Sequence, residues 1–350
     1  MKRMFVCAAT LLLAGANGTR AEETLGSPTT PHRLPDTIVV SANRVPTSID
    51  QVANSVTIIT RKQIEQCQAT FVTHLLRSLP AVDVVESGGP GKASSVFFRG
   101  TGSQHVLVIR DGVKMNDPSS PNGSYDFGTL TTDGVERIEI LRGSQSVLYG
   151  SDAIGGVIEI FTRRGSGRPS ISVSSETGSF NSFHQKATIS AGNNTTDLSL
   201  TFSHKLSDGF STSDTKLGSR EKDGYRNTGI TGVLGIALPS NMEISFSGTM
   251  NDSKTDVDQS WGTLDDSNAT NAATTRTLTA VLNRTGFQSR WTPQLRVSHL
   301  RQEFESEDRT DSDHPYDAGT FNSRGRRLTV STQHSIAWSE HVLLLGGGQH

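Results

Sequence analysis

The chain has 350 residues, a formal net charge of -2 and 33% hydrophobic residues, with a mean hydropathy of -0.37. A charge this close to neutral argues against the basic surface that nucleic-acid binding requires, so no nucleic-acid partner is expected. The mature part of the chain has no run of 18 or more apolar residues, which excludes a spanning helix. A soluble β protein and a transmembrane β-barrel both remain open, because barrel strands alternate apolar and polar residues.

The first residues predict a secretory signal peptide. Lys2 and Arg3 precede an apolar run over residues 4–16, which is too short to span a bilayer and has the flanks of a signal. Small residues allow cleavage directly after that run or after Ala21, and we favour the second position. Residues 1–21 are therefore assigned to the signal peptide, and no Cys follows either cleavage point to receive a lipid anchor.

A tether with one β-forming stretch follows the signal peptide. Residues 22–35 are rich in Thr, Ser, Pro and Gly and have few large apolar side chains. The next stretch, "DTIVVSANR" at 36–44, is β-branched, has no obvious partner strand nearby, and has no charge after Asp36 until Arg44. Such an edge can add a strand to another protein's sheet through main-chain hydrogen bonds. The alternatives are an ordinary strand of the following domain or a disordered tail.

Residues 45–165 are predicted to form a compact α+β domain. Strand patterns appear in "SVTIIT", "HVLVIRDGV", "VERIEILRG" and "GGVIEIFTRR". Thr60 and Gln63 have the spacing of a capping box at the start of a helix, and a second short helix is expected over 72–79, before Pro80. The dipeptide Asp111-Gly112 predicts a hairpin turn.

Neither the cysteines nor the histidines form a catalytic pattern. Cys7 leaves with the signal peptide, and Cys67 is then alone in an oxidising compartment, where its apolar neighbours predict a buried helical position. The Gly-rich stretch "YGSDAIGGV" at 149–157 lacks the Gly-Lys-Ser/Thr ending of a phosphate loop and precedes a strand. We therefore expect no enzymatic activity.

From residue 166 onward the chain is predicted to form serial β-hairpins. Tight linkers alternate with long polar ones at 207–228, 251–275 and 303–324, an asymmetry typical of an outer-membrane barrel and rare in a soluble sandwich. Apolar residues recur with a period of two, which gives each strand one apolar and one wet face. The positions that mark this period are Ile171, Val173, Leu198, Leu200, Phe202, Leu234, Ile236, Leu238, Met242, Ile244, Phe246, Leu295, Val297, Leu328 and Val330.

The number of strands predicts an incomplete barrel. Residues 168–350 have room for roughly eight strands if each needs about 10 residues and a connection. Side chains alone fill a barrel of about eight strands, whereas a barrel with a plugged lumen has about 22. The domain at 45–165 could not fit inside eight strands, and the pattern stops within "HVLLLGGGQH". We therefore expect a truncated chain that carries only the first strands of its barrel.

Two stretches resemble segments of a known family. "DTIVVSANR" resembles a TonB box, and "VERIEILRGSQSVLYGSDAIGGVIEIFTRR" is similar to the end of a plug domain. The chain is therefore identified as a member of the TonB-dependent outer-membrane receptors, and it is most similar to their cobalamin-receptor branch. The resemblance covers residues 36 to about 165 and continues weakly into the first barrel strands.

The resemblance implies a fold and a division of the chain. It implies an α+β plug domain followed by the first strands of an antiparallel transmembrane β-barrel. The segments are a signal peptide at 1–21, a flexible segment at 22–44, the plug at 45–165 and the barrel part at 166–350. TonB, with its inner-membrane energising complex, is the expected partner of the box, whose residues are Asp36, Thr37, Ile38, Val39, Val40, Ser41 and Ala42.

The resemblance also implies charges that hold the plug in the barrel. Arg99, Glu139 and Arg142 look like plug charges that pair with barrel carboxylates. Solvent-exposed ion pairs contribute about 0 to 1 kcal/mol each, so they would fix the position of the plug more than they add stability. For Glu139, ordinary surface charge is an equally open interpretation.

Two plug loops are the candidates for ligand contact. The loops "SGGPGKASS" at 87–95 and "KMNDPSSPNGSYDF" at 114–127 are rich in Gly, Ser, Asn and Pro. They resemble apical loops that touch cobalamin, whose amide fringe could accept and donate hydrogen bonds there. Solvated loops without any ligand contact are the alternative. The residues chosen are Lys92, Ala93, Ser94, Ser95, Asn116 and Tyr125.

The resemblance also suggests calcium in the external loops. Calcium prefers clustered carboxylate and carbonyl oxygens, and Glu221, Asp223 and Asp252 fall near the expected ligands. The chain departs from the family pattern at Ser211, where an Asp would follow the aromatic Phe210. Ordinary solvated acids remain the alternative, and no prosthetic group is expected.

The expected function is active import of cobalamin through the outer membrane after signal-peptide removal. The protein would be surrounded by outer-membrane lipid, and capture of the box by TonB would drive transport. A receptor of the same design for a ferric siderophore, or for another large scarce ligand, is the first alternative. A passive porin or adhesin barrel and a soluble periplasmic binding protein are two further alternatives, and neither has a use for a TonB box.

Overall fold

The structure is a computed structural model. It describes residues 38–39, 42–211, 222–258, 268–286, 290–310, 318–337 and 343–349. Within these ranges, an N-terminal domain of mixed helices and strands (residues 42–165) is followed by one large antiparallel sheet. No helix in the described part of the chain is long and apolar enough to cross a membrane.

The N-terminal domain is built on a five-stranded sheet. Its elements are β1 (Ile38–Val39), β2 (Thr47–Ser48), β3 (Ser55–Thr60), α1 (Arg61–Cys67), α2 (Val72–Leu76), β4 (Val82–Glu86), β5 (Ser94–Phe98), β6 (Val106–Arg110), β7 (Val113–Lys114), β8 (Val135–Arg142), α3 (Ser146–Tyr149) and β9 (Gly156–Thr162). The strand order is β3-β8-β9-β6-β7, and the β6–β9 pair is parallel. The pairs β1–β2 and β4–β5 form two small separate ladders.

Local sequence signals explain where these elements begin and end. The capping box is confirmed, because the Thr60 side chain accepts from the Gln63 backbone while the Gln63 side chain accepts from the Thr60 backbone. The hairpin turn is also confirmed, since Asp111 and Gly112 adopt φ of 50° and 80° between β6 and β7. Both values lie in the left-handed region that this turn requires.

Two predictions about the helices are wrong. Cys67 is exposed rather than buried, because α1 turns only Ile64 fully into the core and ends at Gln68 in the left-handed conformation. The second helix ends at Leu76 and does not reach residue 79. Tight turns replace its last part, and in them the Leu79 amide donates to the Leu76 carbonyl at 3.0 Å.

The five-stranded sheet is buried on both faces. One face packs against the helices in the main core, and β8 and β9 contribute Ile138, Ile140, Ile158 and Ile160 to it. The opposite face carries Leu141 and Val157, which belong to a second cluster together with residues of the N-terminal segment. Because strand side chains alternate between faces, β8 and β9 supply both layers.

Nine strands follow in simple order and form a wall beside the N-terminal domain. They are β10 (Ser170–Gly178), β11 (Ser182–Gly192), β12 (Thr196–Ser207), β13 (Tyr225–Leu238), β14 (Met242–Asp256), β15 (Thr270–Arg284), β16 (Trp291–Asp308), β17 (Gly319–Ala337) and β18 (Leu343–Gln349). Each strand pairs antiparallel with the next, and in the described residues β10 does not pair with β18, so the sheet is not closed.

The wall differs from its sequence prediction in two respects. It has nine described strands rather than about eight, and its strands extend into segments that were assigned to long linkers. β14 continues to Asp256 and β16 to Asp308, because polar residues continue the alternation beyond the apolar stretch. We call the end of the wall with the connections 208–224, 257–269 and 309–318 the long-connection rim.

The two faces of the wall have opposite character. The inner face is lined with buried hydroxyls such as Thr188 and Thr201, whose oxygens lie 3.1 Å apart, and Leu300 reaches the main core. The outer face carries a band of exposed apolar side chains, as the sequence period predicts. These residues are Ile171, Val173, Ile189, Leu198, Leu200, Phe202, Ile230, Leu234, Leu238, Phe246, Met250, Leu278, Leu295, Val297, Leu328, Val330 and Ile336.

The core assignment predicts a contrast between two identical substitutions. Val108 in β6 is 0% exposed and Val147 in α3 is 99% exposed. Val108→Ala removes two buried methyl groups and leaves a cavity, so it should lower the free energy of unfolding by about 2 kcal/mol. Val147→Ala should change it by less than about 0.5 kcal/mol. Denaturant melts of the purified variants measure both values, and equal effects would contradict the assignment.

Candidate functional site

The N-terminal segment (residues 38–48) is docked on the domain that it precedes. β1 pairs with β2, with Ile38 opposite Ser48 and Val39 opposite Thr47. The predicted box therefore has a partner strand only a few residues further along the chain, contrary to the sequence-based expectation. Of its seven residues, Asp36, Thr37, Val40 and Ser41 lie outside the described residues.

Apolar contacts hold this segment over the second face of the five-stranded sheet. Val39 is 0% and Ala42 is 1% exposed. Both belong to the cluster that contains Leu107, Ile109, Leu141, Ala153 and Val157. Burial of a Val side chain contributes about 1.5 to 3 kcal/mol, so a pairing of two residues with these contacts is a modest attachment.

Arg44 joins the segment to both parts of the protein. Its guanidinium lies 4.6 Å from the centre of the Tyr149 ring, a cation–π contact inside the N-terminal domain. Its carbonyl accepts a hydrogen bond of 2.8 Å from the Gln333 side chain in the wall. Withdrawal of residues 38–44 would break contacts with both the domain and the wall.

Two acidic side chains lie on the sheet face that the segment covers. Glu139 and Glu159 are directly opposite each other on β8 and β9, and both are buried. Arg137 reaches Glu139 at 2.8 Å. Burial, and secondly the Glu139 charge, raise the pKa of Glu159 to about 8, although Arg296 and Arg44 oppose the shift. The Glu159 carboxyl is therefore mostly protonated at neutral pH, and the sequence analysis did not identify it.

A buried ion pair fixes the loop at 87–95 to the long-connection rim. The Lys92 ammonium lies 3.2 Å from the Asp223 carboxylate, and both side chains are buried. Lys92 also donates to the Asp256 carbonyl at the end of β14. The neighbouring Gly91 has φ of +80°, and a Cβ there would come within 2.2 Å of the Tyr225 ring, so only glycine fits.

The other predicted ligand residues divide into buried and accessible ones. Asn116 is buried, its side chain accepts from the Val108 amide at 2.9 Å, and it donates to the Val106 carbonyl at 3.1 Å. Ser94 and Tyr125 are also buried. Ala93 is exposed and Ser95 is half-buried. In this conformation, Ala93 and Ser95 offer surface to a ligand, whereas the side chains of Lys92, Ser94, Asn116 and Tyr125 support the loops.

The predicted plug charges make their contacts inside the N-terminal domain. The Arg142 guanidinium donates to Thr57 at 2.7 Å and to Ser55 at 3.2 Å, because it folds back over the neighbouring strand β3. The pairing of Arg142 with a barrel carboxylate stays a prediction. Glu139 pairs with Arg137 in its own strand, and Arg99 is exposed.

Other charges connect the domain to the wall. Arg164, which follows β9, pairs with Asp197 at 2.8 Å and with Glu243 at 2.6 Å. Asp133 accepts from His184 at 3.1 Å, and this contact lowers the pKa of Asp133 against the opposing effect of burial. The position of Arg164 directly after the last strand of the domain was the available sequence signal, and it was missed.

The three predicted calcium ligands are not brought together in the described residues. Glu221 lies outside them, and the Asp223 carboxylate is engaged by Lys92. Asp252 lies on β14, on the face opposite to that of the buried Ser253. Within the described ranges, no group of three or more His, Cys, Asp or Glu residues could hold a metal ion.

Comparisons with known proteins agree with this architecture. A model of the TonB-dependent Receptor Plug Domain family matches residues 48–157. The Vitamin B12 transporter BtuB of Photobacterium profundum is 30% identical over 320 residues, which cover 89% of this chain and 49% of that protein. The Vitamin B12 transporter BtuB of Vibrio vulnificus is 36% identical over 239 residues, which cover 63% of this chain and 38% of that protein.

The fold also matches a solved structure. The ferripyoverdine receptor of the outer membrane of Pseudomonas aeruginosa gives a TM-score of 0.68 at 13% identity, covering 89% of this chain and 44% of that chain. At this identity the likeness shows the fold alone. The chain spans about half the length of the curated relatives it matches or less, 49% of one and 38% of the other.

The raised pKa of Glu159 predicts a pH dependence of stability. The folded protein keeps this proton, whereas the unfolded chain loses it above the ordinary Glu pKa of 4.5, so the contribution of Glu159 to stability is complete below that pH. It falls as the pH rises and is lost above about 8. In Glu159→Gln, stability should fall less steeply as the pH rises from 4.5 to about 8. Calorimetric melting temperatures recorded over this pH range measure the difference. Glu305→Gln, at an exposed position, is the control, and parallel curves for Glu159→Gln and the unmodified protein would contradict the prediction.

Proposed function

We propose that this chain, which belongs to the TonB-dependent receptors, binds cobalamin at the long-connection rim and imports it through the outer membrane. TonB would supply the energy by capturing the N-terminal segment. Members of this family are outer-membrane receptors and not enzymes. The observation that carries the proposal is the docked N-terminal segment, whose described residues make two strand pairs with β2 and bury Val39 and Ala42 against the plug domain.

The shallow attachment of the N-terminal segment supports its role as the TonB box. Ile38 and Val39 already have the extended conformation that a partner sheet would need. Release exchanges their pairing with β2 for pairing with TonB, so main-chain hydrogen bonds are conserved while Val39 and Ala42 leave their cluster. The outer membrane has no ATP, and work delivered through this strand would draw on the inner-membrane proton gradient.

Occupancy of the rim must be coupled to release of the box. If ligand binding favours the released segment, then capture of the segment by TonB must change the affinity for ligand by the same factor. The loop at 114–127 contacts β6 through Asn116, and β6 supplies Leu107 and Ile109 to the cluster under the segment. A shift of β6 would therefore change the contacts of both the loop at 114–127 and the N-terminal segment.

Cobalamin is the proposed cargo, with a ferric siderophore as the alternative. Relatives at 30% and 36% identity are named vitamin B12 transporters. The accessible residues of the first loop, Ala93 and Ser95, the Gly and Ser around them and the Asn of the second loop suit a neutral ligand with many amides. The fold neighbour at 13% identity is a ferripyoverdine receptor, which keeps the alternative open.

Calcium binding stays a proposal for the loops at the rim. It would use Asp223 together with Glu221, and it requires that Lys92 give up its ion pair with Asp223. Asp252 faces away from the Lys92–Asp223 ion pair and would not contribute a ligand unless the conformation of β14 changed.

The box proposal predicts separate effects on uptake and on binding. Deletion of residues 36–42 should abolish energy-dependent uptake and leave ligand binding to outer membranes intact. Val39→Pro should do the same, because proline cannot donate a main-chain hydrogen bond to a partner strand. Val39→Ala, which keeps that donor, is the matched control and should retain uptake. Normal uptake by the deletion or by Val39→Pro would contradict the proposal.

The cargo proposal predicts saturable binding of cyanocobalamin, and not of ferric siderophores, to outer membranes that carry the protein. Ala93→Trp should weaken this binding by about tenfold, or about 1.4 kcal/mol, because a bulky side chain would fill the exposed surface of the loop. Val147→Trp, at an exposed position in α3, is the control. Siderophore binding without cobalamin binding would favour the alternative. The same assay with a calcium chelator tests the calcium proposal, which predicts weaker binding.

A further inference from the structure

Three arginines form a row across the outer face of the wall. Arg276, Arg301 and Arg326 are direct cross-strand partners on β15, β16 and β17. Neighbouring strands lie about 4.8 Å apart, so the row spans about 10 Å. All three arginines lie on the outer face of the wall, and the inner face contacts the N-terminal domain. The adjacent Gln302 and Arg327 point inward and donate at 3.0 Å to the Met115 and Lys114 carbonyls, respectively.

The charges of this row are not balanced within the described residues. Like charges that lie directly opposite on neighbouring strands are destabilising. Glu303 is shared by Arg301 at 2.6 Å and by Arg324 at 3.5 Å. Arg276 and Arg326 are exposed and have no ion pair within 4.0 Å in the described part of the chain, although the charge of Arg276 also acts on Glu303 at longer range. The row therefore presents more positive charge than its own neighbours neutralise.

The row lies at the edge of the apolar band. Leu278 and Leu328 are two residues below Arg276 and Arg326 on the same face, and they are 61% and 65% exposed. On β17 the outward-facing side chains below Leu328 are Val330, Thr332, His334 and Ile336, so Ile336 is the last apolar side chain of this face among the described residues. From Arg326 to Ile336 the strand rises about 33 Å, and with the usual barrel tilt this gives a height of about 25 Å. That height equals the apolar band of an outer-membrane barrel, so the guanidinium groups lie at the level of lipid headgroups.

We propose that the arginine row binds the phosphate groups of a membrane lipid in the leaflet at the long-connection rim. Guanidinium groups bind phosphate oxygens with paired, charge-assisted hydrogen bonds. Leu278 and Leu328, directly below the row, would contact the acyl chains of the same lipid. This combination favours a lipid over free phosphate, which would gain nothing from the apolar neighbours. The inference rests on the proposed outer-membrane function.

The proposal is tested by lipid binding to the purified full-length protein in neutral detergent. The probe is lipid A, whose sugar headgroup carries phosphate monoesters, and retained lipid is measured by native mass spectrometry. The triple variant R276Q/R301Q/R326Q should bind lipid A at least about tenfold more weakly, because it loses three charge-assisted contacts with phosphate. Dephosphorylated lipid A should bind equally weakly to the variant and to the unmodified protein.

Matched variants separate the site from general charge and from misfolding. K62Q/R168Q/K222Q removes the same charge from exposed positions outside the row and should bind lipid A normally. R276K/R301K/R326K keeps the charge and should bind with intermediate strength. Unchanged lipid A binding in the triple Gln variant would overturn the proposal, as would full competition by millimolar inorganic phosphate, which would indicate a free-phosphate site. Cobalamin binding and uptake are measured on the same variants, so failure of the transport proposal is detected independently.

Discussion

The mechanism depends on one constraint, the shallow docking of the N-terminal segment over a sheet face that contains buried acids. In the described residues β1 and β2 form two residue pairs, and Val39 and Ala42 are nevertheless buried against the sheet. Beneath the same cover, Glu159 keeps its proton because burial opposes its ionisation. A deeper attachment could not be reversed by a pull on one strand, and a looser one would leave the acidic face open to water.

In the proposed mechanism, contacts elsewhere would keep the domain in place while the segment is released. Arg164 pairs with Asp197 and Glu243 at the end of the domain, and Lys92 pairs with Asp223 at the long-connection rim. The Arg164 pairs are partly exposed and add little stability, whereas the Lys92–Asp223 pair is buried. Pairs at opposite ends of the domain fix its orientation against the wall.

The sequence predicted those features that depend on local patterns. The capping box at Thr60, the Asp111-Gly112 turn and the period-two strands all follow from neighbouring residues, and the structure confirms them. The contacts of Arg142 and Arg164 could not be read in this way, because a long side chain chooses among partners that folding brings together. The burial of Lys92 and Asn116 in polar-looking loops has the same origin. A polar loop sequence does not reveal which of its residues the fold encloses.

The same limit explains why the two candidate ligand loops are not equivalent. The loop at 87–95 is attached to the rim and offers Ala93 and Ser95 at its surface, so a ligand would contact it directly. The loop at 114–127 is attached to β6 through Asn116, whose amide bonds the backbone at Val106 and Val108. The alternate residues of that strand, Leu107 and Ile109, lie in the cluster that holds Val39. A single strand therefore contacts the loop at 114–127 with its backbone and the N-terminal segment with its side chains, so β6 connects the proposed ligand loop to the proposed TonB box.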